Sequence, residues 1–231
     1  MIKRLYSTVL KVFLLASILV FTGCSRSVDV AADFPEPLLE PLPLTLGVRF
    51  PSDLADFTHT EDPSLEPEWE IRLGEANLRM FRAVFAGMFT NVVELSPESA
   101  ANAVAGIDLI IEPRLEELEF SVPNQSGTDQ YVVWLRYSLK ILLPDEQLVS
   151  DWRITAYGQK DEGNLGMGSE DAMKAAAIKA LRDAGANIAI GFANAPGVKA
   201  QFLSEPLSSD TSEAPANSTD TQNVADVENT I

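Results

Sequence analysis

Tyr131 to Gly158 constrains the fold more than any other stretch of the chain. Val133, Leu135, Tyr137, Leu139, Ile141 and Leu143 recur at every second position, so a strand here has one fully apolar face. Val132, Trp134 and Leu142 make the other face partly apolar. Pro144-Asp145-Glu146-Gln147 turns the chain, and Leu148 to Gly158 returns with Trp152, Ile154 and Ala156 on one face. The spacing predicts a long antiparallel hairpin.

Two helical patterns accompany it. Leu78, Phe81, Phe85 and Met88 recur at helical spacing, with Arg79 and Arg82 on the other side, which predicts an amphipathic helix of about fifteen residues from Glu75. Its aromatic stripe reads as core. From Ser169 a second helix is predicted, with Met173, Ala177, Leu181, Ala184 and Ile188 inward. So many alanines mean close approach to a sheet. Leu44 to Phe50 alternates as a half-buried strand. Trp69 to Leu73 reads as a short strand that could pair with it, and Val92 to Leu95 as another. Ser96-Pro97-Glu98 could open a brief helical turn. Ile107 to Val122 is extended. Its apolar phase flips near Glu116-Glu117, as a β-bulge would make it, and Pro113 suggests an edge or bulge position. The stretch around His59, Glu61 and Asp62 reads as a surface loop.

These elements predict an α+β fold: a single antiparallel or mixed β-sheet, two main helices on one face, and a long hairpin in the C-terminal half. Residues 44–203 suffice for one such domain. Residues 204–231 hold no aromatic residue and no Lys, Arg or His, and are predicted to form a disordered acidic tail. Pro35, Pro37, Pro41 and Pro43 make residues 24–43 read as an extended tether, able to hold the domain up to about 60 Å from its attachment point.

The N-terminus supplies an address. Lys3, Arg4 and Lys11 precede Val12 to Phe21, an uncharged apolar run of signal-peptide size, about half of what spans a bilayer. Phe21-Thr22-Gly23-Cys24 follows. Residues 1–24 resemble a bacterial lipoprotein signal peptide, in which two small residues precede the lipidated cysteine. Gly23 and Cys24 match that pattern well, and Phe21 departs from the usual Leu. The resemblance implies cleavage after residue 23 and a diacylglycerol thioether on Cys24, usually with a third, amide-linked chain such as palmitate. Two or three chains make a stable anchor, where one binds reversibly. Ser25, in place of the Asp that retains enterobacterial lipoproteins at the inner membrane, implies the outer membrane, on its periplasmic side.

Loss of residues 1–23 would strip those three cations and no acid, taking the net charge from −17 to −20. Such a chain repels nucleic acid and anionic headgroups, so the lipid on Cys24 rather than surface charge would hold it to a membrane. The order of elements across most of residues 44–203 is similar to the small periplasmic domain shared by the curli-secretion lipoprotein and the amino-terminal domain of the Tol-system propeller protein. No motif carries that second resemblance.

No catalytic constellation is legible. His59 is the only histidine and has no serine or cysteine partner by spacing. Cys24 is the only cysteine, so a zinc set is lacking. The acid pairs Glu61-Asp62, Asp145-Glu146, Asp161-Glu162 and Glu170-Asp171 lack calcium-loop spacing and read as solvated turns and a helix start. Gly163, Gly166 and Gly168 precede a helix without the lysine of a phosphate loop. Glu116, Glu117 and Glu119 have no facing carboxylate that would suggest a glycosidase. The sequence therefore points to a non-enzymatic envelope adaptor with no cofactor. Its protein partner would be met by outer-face residues such as Trp134 and Val132, or by the tail. The alternative is a carrier or binding module for a lipid or other hydrophobic ligand.

Overall fold

The computed structural model describes residues 26–61, 68–96, 105–162 and 168–203. The signal peptide, Cys24, Ser25, the helical turn expected after Ser96, Gly163 and Gly166, and the tail from residue 204 lie outside the described residues.

The long hairpin is the centre of the molecule. β7 (Gln130–Leu142) and β8 (Leu148–Asp161) pair antiparallel along almost their whole length. On the other side β7 pairs with β6 (Leu109–Ser121). The register shifts between Leu115 and Glu117, which places a bulge at Glu116, where the apolar phase flips. β2 (Leu42–Arg49) joins β6 in parallel through Leu46, Gly47 and Val48 only. Beyond Ile111, β6 is therefore bonded on its β7 side alone. Pro113, which has no N–H to give, sits in that one-sided stretch of an internal strand. β5 (Phe89–Leu95) pairs parallel with β2, giving the strand order β5-β2-β6-β7-β8.

The remaining strands form a second sheet, so the expected single sheet is incorrect. β1 (Arg26–Asp29) pairs parallel with β4 (Trp69–Arg72), and β3 (Thr58–Glu61) pairs antiparallel with β4 from the other side. Both edges of β2 are taken by β5 and β6, which leaves β4 no place beside it. Two sequence expectations change with this. His59 lies on β3 rather than in a loop, its ring edge-on to Phe120 at 5.8 Å. The Pro-rich stretch does not stand off from the domain: it follows β1, in which Val28 is buried, Val30 just beyond the strand is buried too, and Phe34 to Pro37 lie against the two long helices.

Two long helices cover one face of the five-stranded sheet, as the periodicity predicts. α1 (Ser52–Ala55) is a single turn after β2. α2 (Gly74–Met88) buries Met80, Phe81, Val84, Phe85 and Met88. α3 (Pro123–Ser126) is the short connection between β6 and β7. α4 (Ser169–Gly191) buries Ala172, Ala176, Ala177, Ala180 and Ala184, and α5 (Val198–Phe202) is one further turn. The alanines allow an unusually close approach. A Cβ built on Gly158 of β8 would fall 2.1 Å from the Ala176 carbonyl oxygen and 2.3 Å from the Ala180 nitrogen. The core lies between these helices and the inner sheet face of Val133, Leu135, Tyr137, Leu139 and Ile141. It contains a polar pair: the Tyr137 hydroxyl donates to Asn77 Oδ1 at 2.6 Å, both residues fully buried.

α4 also closes the outward edge of β8. The Tyr157 N–H donates to Asp183 Oδ2 at 2.9 Å, Asn187 Nδ2 donates to the Thr155 carbonyl at 3.2 Å, and Lys179 Nζ donates to the Gln159 carbonyl at 2.9 Å. Helix side chains thus take up backbone groups that would otherwise template another strand.

A candidate interaction surface

Even-numbered residues of β8 face the helices, so odd-numbered residues face out, and the same alternation sends Trp134 and Arg136 of β7 outward. Neither long helix covers this outer face. A small apolar cluster of Leu95, Ile107, Ile110 and Leu142 occupies the end near the β7–β8 turn. The middle is charged and the other end aromatic.

Trp134 and Tyr157 are directly opposite in the ladder, their ring centroids 5.7 Å apart at 53°, each 42 % exposed. Beside them Arg136 reaches Glu117 at 2.6 Å and Glu116 at 3.3 Å. Arg153 reaches the same Glu116 at 3.1 Å, and this contact raises its guanidinium pKa. The bulge explains the convergence, because it turns Glu116 and Glu117 towards one surface and lets Glu116 bridge two arginines. These exposed ion pairs contribute little to stability. What they do is hold two arginines in fixed positions beside a tryptophan and a tyrosine.

The residues named from sequence separate here. Trp134 is exposed on this face, whereas Val132 is buried at 7 % exposure and offers little contact surface. Tyr157, Arg136 and Arg153 were not picked out by sequence. Counting outward from the Pro144–Gln147 turn does pair Tyr157 with Trp134, because the ladder keeps that register from Ile141 onward and only Leu142, opposite Leu148, departs from it by one residue. The other candidates are dispersed. Glu146 binds Arg49 at the β7–β8 turn, together with Glu112, and both carboxylates raise the Arg49 pKa, Glu146 more strongly. Glu170 and Asp171 occupy the first turn of α4, and Gly168 precedes it. Among the described residues no three His, Cys, Asp or Glu side chains group as a metal site, and no helix is long and apolar enough to cross a membrane.

A second depression lies between the helices, under the strap of Phe34 to Pro37. Met80, Val84, Leu181 and Gly185 form its apolar floor, and its volume is about 220 Å³. That is below the roughly 300–1,000 Å³ of ordinary small-molecule sites, and well short of a whole lipid.

No family model matches the chain, and no curated protein matches it. Similar solved structures include bacterial lipoproteins. A Xanthomonas campestris protein of the family DUF330 shares 13 % identity at a TM-score of 0.47, covering 71 % of this chain and 92 % of its own. A candidate lipoprotein from Caulobacter crescentus shares 10 % identity at a TM-score of 0.32, covering 39 % and 67 %. A Neisseria meningitidis lipoprotein shares 11 % at 0.29, covering 55 % and 90 %. At these scores the overlaps are likenesses of outline and assign no family.

Proposed function

We propose that this chain is a lipid-anchored protein of the bacterial cell envelope that works by binding a protein partner, without catalysis of its own. Cys24 carries the diacylglycerol and Ser25 directs it to the periplasmic side of the outer membrane. The partner docks on the outer sheet face around Trp134. The observation that carries this reading is the Trp134–Tyr157 pair, half-exposed on a face that neither long helix covers and flanked by Arg136 and Arg153. Tryptophan, tyrosine and arginine are the residues that dominate binding energy at protein interfaces. Positioned beforehand by the hairpin and by Glu116, they lose little conformational freedom on docking.

Photo-cross-linking in intact cells tests the surface. A photoreactive residue at position 134 or 155 is expected to capture one discrete envelope protein, and the same residue at exposed Arg182 on α4 is not. No discrete product at 134 and 155 would overturn the reading. Palmitate labelling tests the anchor: Cys24→Ala is expected to lose the label and leave the membrane fraction, and retention of both would remove the anchor. The carrier reading has the cleft under Phe34 to Pro37 in its favour, but its volume holds a fragment of a lipid at most. Native mass spectrometry of the delipidated domain with a whole lipid bound would reverse that preference.

A further inference from the structure

The start of β1 places the domain relative to the membrane. Arg26 is already in register with Trp69, its N–H donating to the Glu68 carbonyl at 2.8 Å and its guanidinium lying 5.2 Å from the Trp69 ring centroid. Only Ser25 separates Arg26 from Cys24. Two residue steps reach about 7 Å at most, so the attachment point stays within that distance of an ordered strand. The long tether suggested by the prolines does not exist as a spacer, because the prolines come after β1.

The rest of that end follows from ring contacts. Trp69 lies 6.2 Å from Tyr131 at the start of β7 and 6.1 Å from Phe120 at the end of β6. Arg26, α3 and the first residues of β7 therefore share one end of the molecule. From Gln130 to Leu142, at about 3.4 Å per residue, β7 runs roughly 40 Å to the opposite end, where the β7–β8 turn sits. Trp134 lies three residues beyond Tyr131, only about 10 Å along that axis.

Resting on the Cys24 anchor proposed above, we infer that the domain stands directly on the lipid headgroups by its Arg26–α3 end, with the β7–β8 turn pointing away from the bilayer. Surface attraction does not set this orientation. Asp161 and Lys160 lie opposite the first residues of β7, the Glu162 N–H donates to the Asp129 carbonyl, and Glu170 opens α4 beside them, so acids outnumber Arg26 and Lys160 at this end and would repel anionic lipid. The short covalent connection imposes it.

Depth-dependent quenching tests the orientation. The lipidated protein is reconstituted in phosphatidylcholine vesicles carrying a headgroup nitroxide, with a clickable dye at Gln125 in α3 or at Gln147 in the β7–β8 turn. Quenching at position 125 is expected to be at least twofold stronger than at 147. Insertion of a twenty-residue Gly-Ser spacer between Ser25 and Arg26 is expected to abolish the difference. Equal quenching at the two positions without the spacer overturns the proposal. The mass of the Cys24 adduct is read separately, and an unmodified cysteine removes the anchor reading. In that case the same two dyes, on mature chain coupled through the Cys24 thiol to a maleimide lipid, still decide the orientation.

Discussion

Tyr137 and Asn77 show what a polar pair costs when it is placed in a core. The Tyr137 hydroxyl has Asn77 Oδ1 as its acceptor, while Asn77 Nδ2 has no hydrogen-bond partner among the described residues. Tyr137→Phe leaves the Asn77 carbonyl buried and unpaired as well, and should lower unfolding free energy by about 1–3 kcal/mol in urea denaturation. An unchanged midpoint would mean the pair contributes nothing. The same residue gives an alkaline signature. Burial pushes the Tyr137 phenol well above its ordinary range. The unfolded chain ionises it near pH 10, as any exposed tyrosine, so the unfolded state releases this proton first as pH rises. The stabilisation is complete below about pH 10 and is lost progressively above it. Tyr137→Phe should therefore flatten the fall of stability between about pH 10 and 11.5, by up to about 1.4 kcal/mol per pH unit. An identical slope in both proteins would contradict the burial argument.

At the scale of elements, the helix-to-sheet distance is set by Gly158 and the α4 alanines. Gly158→Ala forces α4 outwards and should cost about 1–3 kcal/mol by overpacking. Gly168→Ala, with only Asp171 Oδ2 at 3.9 Å, should cost far less; equal melting temperatures for the two variants would contradict this packing. These elements also show what a sequence discloses. α2, α4, the hairpin and the Glu116 bulge were legible because each is long enough for its period to repeat. β1 and β3 were not: four residues each, they are strands only because β4 offers its two edges. The pairing of β4 was misplaced for the same reason, since nothing local reveals that both sides of β2 are occupied. In the interaction surface, Trp134 was legible, with Val132 and Leu142, as one of the residues that make the outer face of β7 partly apolar. Its companions Arg136, Arg153 and Tyr157 are unremarkable in sequence and meet only through the hairpin register and the bulge.

For the whole molecule, anchor and surface combine. With the anchoring proposed above, Trp134 would stand about 10 Å above the bilayer end along β7, and a partner meeting it would work close to the membrane. The protein cross-linked at position 134 should remain in the membrane pellet after a high-salt wash; recovery of a purely soluble partner would contradict this. The closure of the β8 edge by α4 acquires a different meaning in that setting. Molecules confined to one leaflet search two dimensions and meet their own copies at high effective concentration. An open fourteen-residue strand edge, tolerable in dilute solution, would there seed chain-to-chain polymerisation. Asp183→Ala combined with Asn187→Ala should leave the monomer folded yet drive concentration-dependent association in sedimentation velocity, more strongly on vesicles than in solution. Given the proposed anchor, Asp183, Lys179 and Asn187 would act as a barrier between neighbours, keeping a crowded lawn of identical domains from knitting into a sheet.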